Sequence, residues 1–182
     1  MRPSRIRLVV LLESLEFGGA QRYALQLLQR LDRSWFAPEV WVLRGGDDLL
    51  PAMRATGVDV VYLSGGKRVG PMAVMHLAKC LLRNRPDVFY TLTVLPNIWG
   101  RLLAGLMGVP VVSSYFSLKP RQHGRLLHKF SARIITNAAA LKERMVNRFR
   151  IPPDQVTIIP SGVDTNYFLP EEALRSSAPL VI

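Results

Sequence analysis

The stretch Arg7-Leu-Val-Val-Leu-Leu-Glu-Ser-Leu-Glu-Phe-Gly-Gly-Ala-Gln-Arg-Tyr-Ala-Leu-Gln-Leu-Leu-Gln-Arg-Leu31 reads as a strand, a glycine turn and a helix in one run. Ile6 to Leu12 is almost wholly apolar, as a strand covered on both faces of a parallel sheet must be, and Glu13-Ser14 opens a polar loop. Beyond Gly18-Gly19, the residues Ala20, Ala24, Leu27, Leu28 and Leu31 share one helical face, while Arg22, Gln26, Gln29 and Arg30 share the other. The helix is therefore expected to dock. A helix start carries unpaired N–H groups and partial positive charge, and two residues without Cβ let an anion such as a phosphate approach them. A Gly-Gly pair also serves as a plain tight turn, so the anion is one of two readings of this corner.

The same alternation continues along the chain. Strands are expected at Pro38–Leu43, Val58–Leu63, Val88–Leu92, Val111–Tyr115, Ala132–Thr136 and Val156–Ile159. Between them, helical spacing covers Leu49–Thr56 (closed by Gly57), Met72–Leu82, Pro96–Met107, a strongly basic Lys119–Phe130, and Ala138–Phe149. Asp47 or Asp48 is placed to cap the second helix, and Gly100, Ala104 and Gly105 suit a helix lying close on a sheet. The fold class that follows is α/β: a Rossmann-like, doubly wound, mostly parallel sheet of about seven strands with helices on both faces. In such sheets ligands collect beyond the carboxyl ends of the strands, where strand order reverses. The rim is then formed by the opening glycine loop with Gly65-Gly66, Thr93 to Asn97, Ser113 to Ser117, Asn137 and Ser161 to Asp164.

At 182 residues with 49% hydrophobic and 20% charged content, the chain suffices for one sizeable domain and lies far from disordered compositions. A formal charge of +11 predicts attraction to polyanions, anionic lipid or phosphate-bearing ligands. The single cysteine, Cys80, excludes an internal disulfide and points to a reducing compartment, so the expected location is cytoplasmic, with peripheral attachment to the inner face of the membrane open. Glu13 and Glu16 interrupt the N-terminal apolar run too early for a secretory signal. No window reaches the roughly 18 uninterrupted apolar residues of a membrane span.

Several chemistries are disfavoured. The loop Glu16-Phe-Gly-Gly-Ala-Gln-Arg22 lacks the three spaced glycines of a dinucleotide site, and the second strand ends at Leu43-Arg44 where an acid would hold the ribose. No Gly-Lys-Ser/Thr phosphate loop and no Gly-x-Ser-x-Gly nucleophile elbow is present. His76, His123 and His128 lack partners at metal spacing; Cys80 lies one turn from His76, where core packing outweighs a metal edge. No metal and no cofactor is expected. The cations Lys119, Arg121, Arg125, Lys129, Arg133, Lys142, Arg144, Arg148 and Arg150 face one acid, Glu143, so 119–150 could meet an anionic membrane, with Leu126, Leu127 and Phe130 either entering it or docking the helix on its own domain. A basic module binding nucleic acid or another anionic polymer is the rival reading. It has no interleaved aromatic set to support it, and no nucleic acid is expected.

Phe17-Gly-Gly-Ala-Gln-Arg22, Ala132-Arg-Ile-Ile-Thr-Asn137 and Ile158-Ile-Pro-Ser-Gly-Val-Asp-Thr-Asn-Tyr-Phe-Leu-Pro170, in this order and spacing, resemble the N-terminal domain of family 4 retaining glycosyltransferases of the GT-B architecture. The resemblance implies one half of a GT-B fold: residues 1–170 as the Rossmann-like, acceptor-side domain, and 171–182 as linker and start of a C-terminal nucleotide-sugar-binding domain. It implies a nucleotide-sugar donor whose diphosphate lies against Gly18, Gly19, Ala20 and Arg22. It places a glycosyl acceptor near Asn97, Ser113, Ser114, Tyr115, Lys119 and Asn137, and an interdomain cleft at Ser161, Gly162 and Asp164. Many members carry a histidine after the fifth strand, where this chain has Ser113-Ser-Tyr-Phe-Ser117, making Tyr115 the candidate catalytic substitute. The paired glutamates of the family's second domain fall outside this sequence, so the fragment alone is expected to be inactive.

Overall fold

The computed structural model describes residues 5–116, 123–163 and 165. Its strands are β1 (Ile6–Leu12), β2 (Phe36–Val42), β3 (Asp59–Tyr62), β4 (Val88–Thr91), β5 (Val111–Tyr115), β6 (Arg133–Thr136) and β7 (Val156–Ile158). They form one parallel sheet in the order β3-β2-β1-β4-β5-β6-β7. The helices are α1 (Gly19–Arg30), α2 (Leu50–Ala55), α3 (Pro71–Asn84), α4 (Arg101–Leu106), α5 (His123–Leu127) and α6 (Ala139–Phe149). Every expected strand is present, each within two residues of its expected ends, because apolar runs bounded by turn residues leave strand as the economical reading.

Alternation along β1 splits the core. Leu8, Val10 and Leu12 pack with Ala24 and Leu28 of α1 and Met53 of α2. Val9 and Leu11 pack with Leu77 and Leu81 of α3 and Ala104 of α4. Ile134 and Val156 pack with Met145 and Phe149 of α6. The register Thr91↔Ser113 and Ser113↔Ile134 puts the α6 cluster on the α3–α4 face of the sheet. Helices thus cover both faces. From Leu8 to Leu12 β1 is buried on both sides, as its apolar run requires.

The order of strand addition reverses between β1 and β4, which pair in parallel through Leu8↔Val88 to Leu11↔Thr91. The link from β4 into α4 begins as a π-helical turn, Pro96–Gly100. A Cβ on Gly100 would lie 2.8 Å from both Leu11 Cδ2 and Thr91 Cγ2, so only glycine lets this turn approach the sheet so closely. A Cβ on Gly105 would lie 2.7 Å from Phe130 Cβ.

Two local expectations are corrected. In the described part of the basic segment, α5 gives way at His128–Phe130 to a tighter turn whose Phe130 docks on Gly105, while Leu126 stays 73% exposed. Neither Asp47 nor Asp48 caps α2 with its side chain; Leu49 occupies the cap position, and Asp48 Oδ2 instead accepts a hydrogen bond from the Phe17 amide at 3.0 Å. No helix among the described residues is long and apolar enough to cross a membrane.

Candidate functional site

The site is built where β1 and β4 end. Gly18 is the extended N-cap of α1 and offers no side-chain cap, and the first turn of the helix holds no acid. The first helical bond of the turn is Arg22 N–H to Gly18 C=O, which leaves the earlier amides of the 12-residue helix without intrahelical partners. Around Gly19 a Cβ would meet nothing within 4 Å, so packing does not require glycine there. At Gly18 it would meet only the end of the Gln21 side chain, 2.4 Å from Oε1. Neither residue has positive φ. Backbone strain therefore does not account for the pair.

The loop that presents this helix start is pinned from the β2–α2 link. Leu15 N–H donates to Gly46 C=O, Leu49 N–H to Leu15 C=O, and Phe17 N–H to Asp48. Arg44, directly after β2, forks onto Glu16 at 2.6 and 3.0 Å and reaches Glu13 at 3.3 Å. The Arg44 hydrogen bond holds the Glu16 carboxyl below its ordinary pKa, and the Glu16 hydrogen bond raises that of Arg44. Two carboxylates beside an anion site would repel its ligand, and the guanidinium offsets them. Arg22 is exposed, with its guanidinium carbon 5.9 Å from the Phe17 ring centre. Ala20 lies in the same first turn.

Across the strand-order reversal the polar residues behave differently from the expected open rim. Asn97, Ser113 and Ser114 are buried. Asn97 accepts from Thr91 Oγ1 at 2.6 Å and donates to Ser114 C=O at 2.9 Å. Ser113 Oγ meets Thr91 and Ser131 hydroxyls at 3.0 Å each, and Ser114 Oγ meets the Tyr90 hydroxyl. These residues lock β4 to β5 from inside, beneath the rim. Burial pushes the Tyr90 phenol pKa well up, so it remains a neutral partner. Asn137 is half-buried after β6, its Nδ2 3.5 Å from Ser161 Oγ, which joins two of the expected rim residues. Ser161 and Gly162 are exposed, and Gly162 lies with Val163 beside Tyr23 and Leu27 of α1. Lys119 and Asp164 lie outside the described residues.

Tyr115, at the end of β5, is half-buried, and its ring stacks on a residue that the sequence reading passed over. Arg101 is fully buried in α4, with its guanidinium carbon 4.9 Å from the Tyr115 ring centre. Nε donates to Ser113 Oγ at 2.7 Å, but Nη1 and Nη2 have no hydrogen-bond partner among the described residues. Burial lowers the Arg101 pKa, opposed by the Tyr115 phenol, yet a guanidinium keeps its proton in proteins. The signal was present in the sequence as a lone cation inside the apolar run Pro96 to Met107.

No cluster of three metal-ligating side chains occurs among the described residues. His76 is exposed on α3, not packed in a core, and its Nδ1 bonds to Leu63 C=O at 2.8 Å.

Comparison with known proteins bears on the family and the fold. The chain is 27% identical over 169 residues to an Escherichia coli UDP-Gal:alpha-D-GlcNAc-diphosphoundecaprenol alpha-1,3-galactosyltransferase, covering 84% of this chain and 44% of that protein. It is 26% identical over 190 residues to a D-inositol 3-phosphate glycosyltransferase of Stackebrandtia nassauensis, covering 87% and 43%. The chain thus spans under half the length of these relatives. Among solved structures, the Anabaena protein HepE in complex with UDP-glucose shares the fold at a TM-score of 0.73 and 14% identity, covering 93% of this chain and 47% of that one. The Glycosyltransferase Family 4 model matches residues 17–167, a span that takes in the glycine loop, all the strands after β1 and the segment following β7; the chain belongs to that family.

Proposed function

We propose that this chain forms the acceptor-side half of a glycosyltransferase that moves a sugar from a nucleotide-sugar donor to an acceptor with retention. The single observation that carries the reading is the uncapped start of α1, which is shaped for close approach and lies at the strand-order reversal. There the free amides of Gly19 and Ala20 receive the donor diphosphate, with Arg22 adding charge at the mouth. Tyr115 stands on the acceptor side, where its ring lies against Arg101 at the end of β5. Residues 1–170 act as one domain and 171–182 lead into the second, which supplies the other wall of the cleft. No metal takes part. The exposed Arg125, Leu126 and Lys129 support peripheral contact with an anionic membrane face.

The test is a calorimetric titration of this chain with UDP and, separately, with uridine. UDP is expected to bind and uridine not to, because the helix start recognises the diphosphate. Equal binding of the two, or no binding of UDP, overturns the assignment.

A further inference from the structure

α3 and α4 present an outer face on which large apolar side chains stand in the open. Met72, Met75 and Leu82 are exposed along α3, and Leu106 is exposed on α4 beside half-buried Leu103. A groove of about 450 Å³ separates α3 from α4 and the π-helical turn before it, lined by Val69, Val74, Met75, Ala78, Trp99 and Leu103. Among the described residues, the Trp99 indole is the only hydrogen-bonding side chain on its walls, and no charged one reaches them. A site for a sugar or nucleotide brings several convergent polar groups together, so this groove suits a hydrocarbon chain.

The border of the same face is cationic. Lys67 and Arg68 precede α3, and Lys79 and Arg83 lie along it, all exposed and none paired with a carboxylate among the described residues. By helical spacing Met72, Lys79 and Arg83 share one line of α3, while Met75 and Leu82 turn from it toward the groove. Phe130 docks on Gly105 of α4, which brings the turn bearing exposed Lys129 to the far border. Between residues 60 and 142 the sequence holds one acid, Asp87, and that carboxylate pairs with Arg7 below the amino end of β4. Exposed apolar side chains ringed by cations, with no acid among them, match a layer that is hydrocarbon inside and negatively charged at its surface. Nucleic acid would engage the cations and leave Met72, Met75, Leu82 and the groove unused, because bases stack on aromatic platforms.

We propose that the outer face of α3 and α4 docks on an anionic lipid bilayer, with the groove between them seating one hydrocarbon chain of a lipid. This surface extends well past the α5 contact named above, and it stands apart from the transferase reading.

The test is flotation of the chain with vesicles of phosphatidylcholine, alone or mixed with phosphatidylglycerol, at low salt. Binding is expected to the anionic vesicles and not to the neutral ones. Lys79→Gln with Arg83→Gln should weaken it about 30-fold, at roughly fivefold per cation lost. Met75→Gln with Leu82→Gln should weaken it roughly tenfold or more. All four positions are exposed, so both double variants should keep the parent's urea midpoint and its UDP binding, which separates this outcome from the fate of the donor site. Seating of a chain is read from Trp99 in a Trp35→Phe background, where the other tryptophan, Trp41, is fully buried. Phosphatidylglycerol brominated along its acyl chains should quench an emission that Trp99→Phe removes. No binding to anionic vesicles, equal binding to both kinds, or undiminished binding by both double variants overturns the proposal. Binding lost only in Arg125→Gln with Lys129→Gln confines the contact to α5 and overturns it for α3 and α4. Binding without quenching overturns the seating of a chain. Displacement of the vesicles by duplex DNA assigns the face to nucleic acid, and self-association abolished by Leu82→Gln assigns it to a second copy; either overturns the bilayer as its partner.

Discussion

Replacing Gly19 with alanine should separate stability from donor binding with opposite signs. The structure offers the new methyl open space, with nothing within 4 Å of its position, and the backbone there needs no left-handed conformation. Alanine also restricts the unfolded chain, so the folded protein should gain roughly 0.4–1 kcal/mol. The same methyl stands at the first residue of α1, where a diphosphate must approach unpaired amides. Losing one backbone hydrogen bond to a charged group costs about 1.5–3 kcal/mol, or roughly 10- to 100-fold in affinity. Urea midpoints and calorimetric titration with UDP measure the two effects on one preparation. Gly18→Ala is a poorer probe, because its methyl displaces Gln21 Oε1 and disturbs that side chain's 3.3 Å contact with Ser14 C=O. A Gly19→Ala chain that is more stable yet binds UDP within about threefold of the parent would refute the reasoning that the glycine serves a phosphate.

Arg44→Lys keeps the charge and loses the fork onto Glu16, so UDP affinity should fall roughly fivefold, about 1 kcal/mol, as measured by the same titration. The folded pKa of Glu16 lies below its ordinary 4.5, so its contribution to stability is complete above that value and is lost as pH falls through the lower, folded pKa. Glu16→Gln should therefore lower the urea midpoint at neutral pH and flatten the acid limb below pH 4.5, where the two proteins converge. Gly105→Ala places a methyl 2.7 Å from Phe130 Cβ and should cost about 1–3 kcal/mol of stability through overpacking, read from urea unfolding at constant slope.

The fold was legible because its signals are local. A parallel sheet buries its inner strands on both faces, and β1 announces that as a nearly apolar run ending in a polar turn. The glycine helix start was equally plain. The acceptor wall was not. Asn97, Ser113 and Ser114 look like rim chemistry in the sequence, yet the π-helical turn after β4 folds over them and consumes their hydrogen bonds inside. Arg101 escaped notice because its burial depends on β5, where small Ser113 and flat Tyr115 make room for a guanidinium. Such cross-strand accommodation leaves no periodic trace. Asp48 was misread for a related reason: capping statistics look along the chain, whereas its partner, Phe17, comes from the preceding loop.

The strand order also sets a timetable for assembly. β1 is an interior strand of the sheet, and one of its two edges waits for β4, with Leu8 pairing only when Val88 exists. During synthesis at 5–20 residues per second, the stretch from Val42 to Val88 takes roughly 2–10 s to emerge. Through that interval the most apolar strand of the protein presents an unpaired edge, a template for association with other nascent chains. Chaperone dependence and inclusion-body formation should therefore be governed by the β1 edge, and slowing translation between β2 and β4 should increase both.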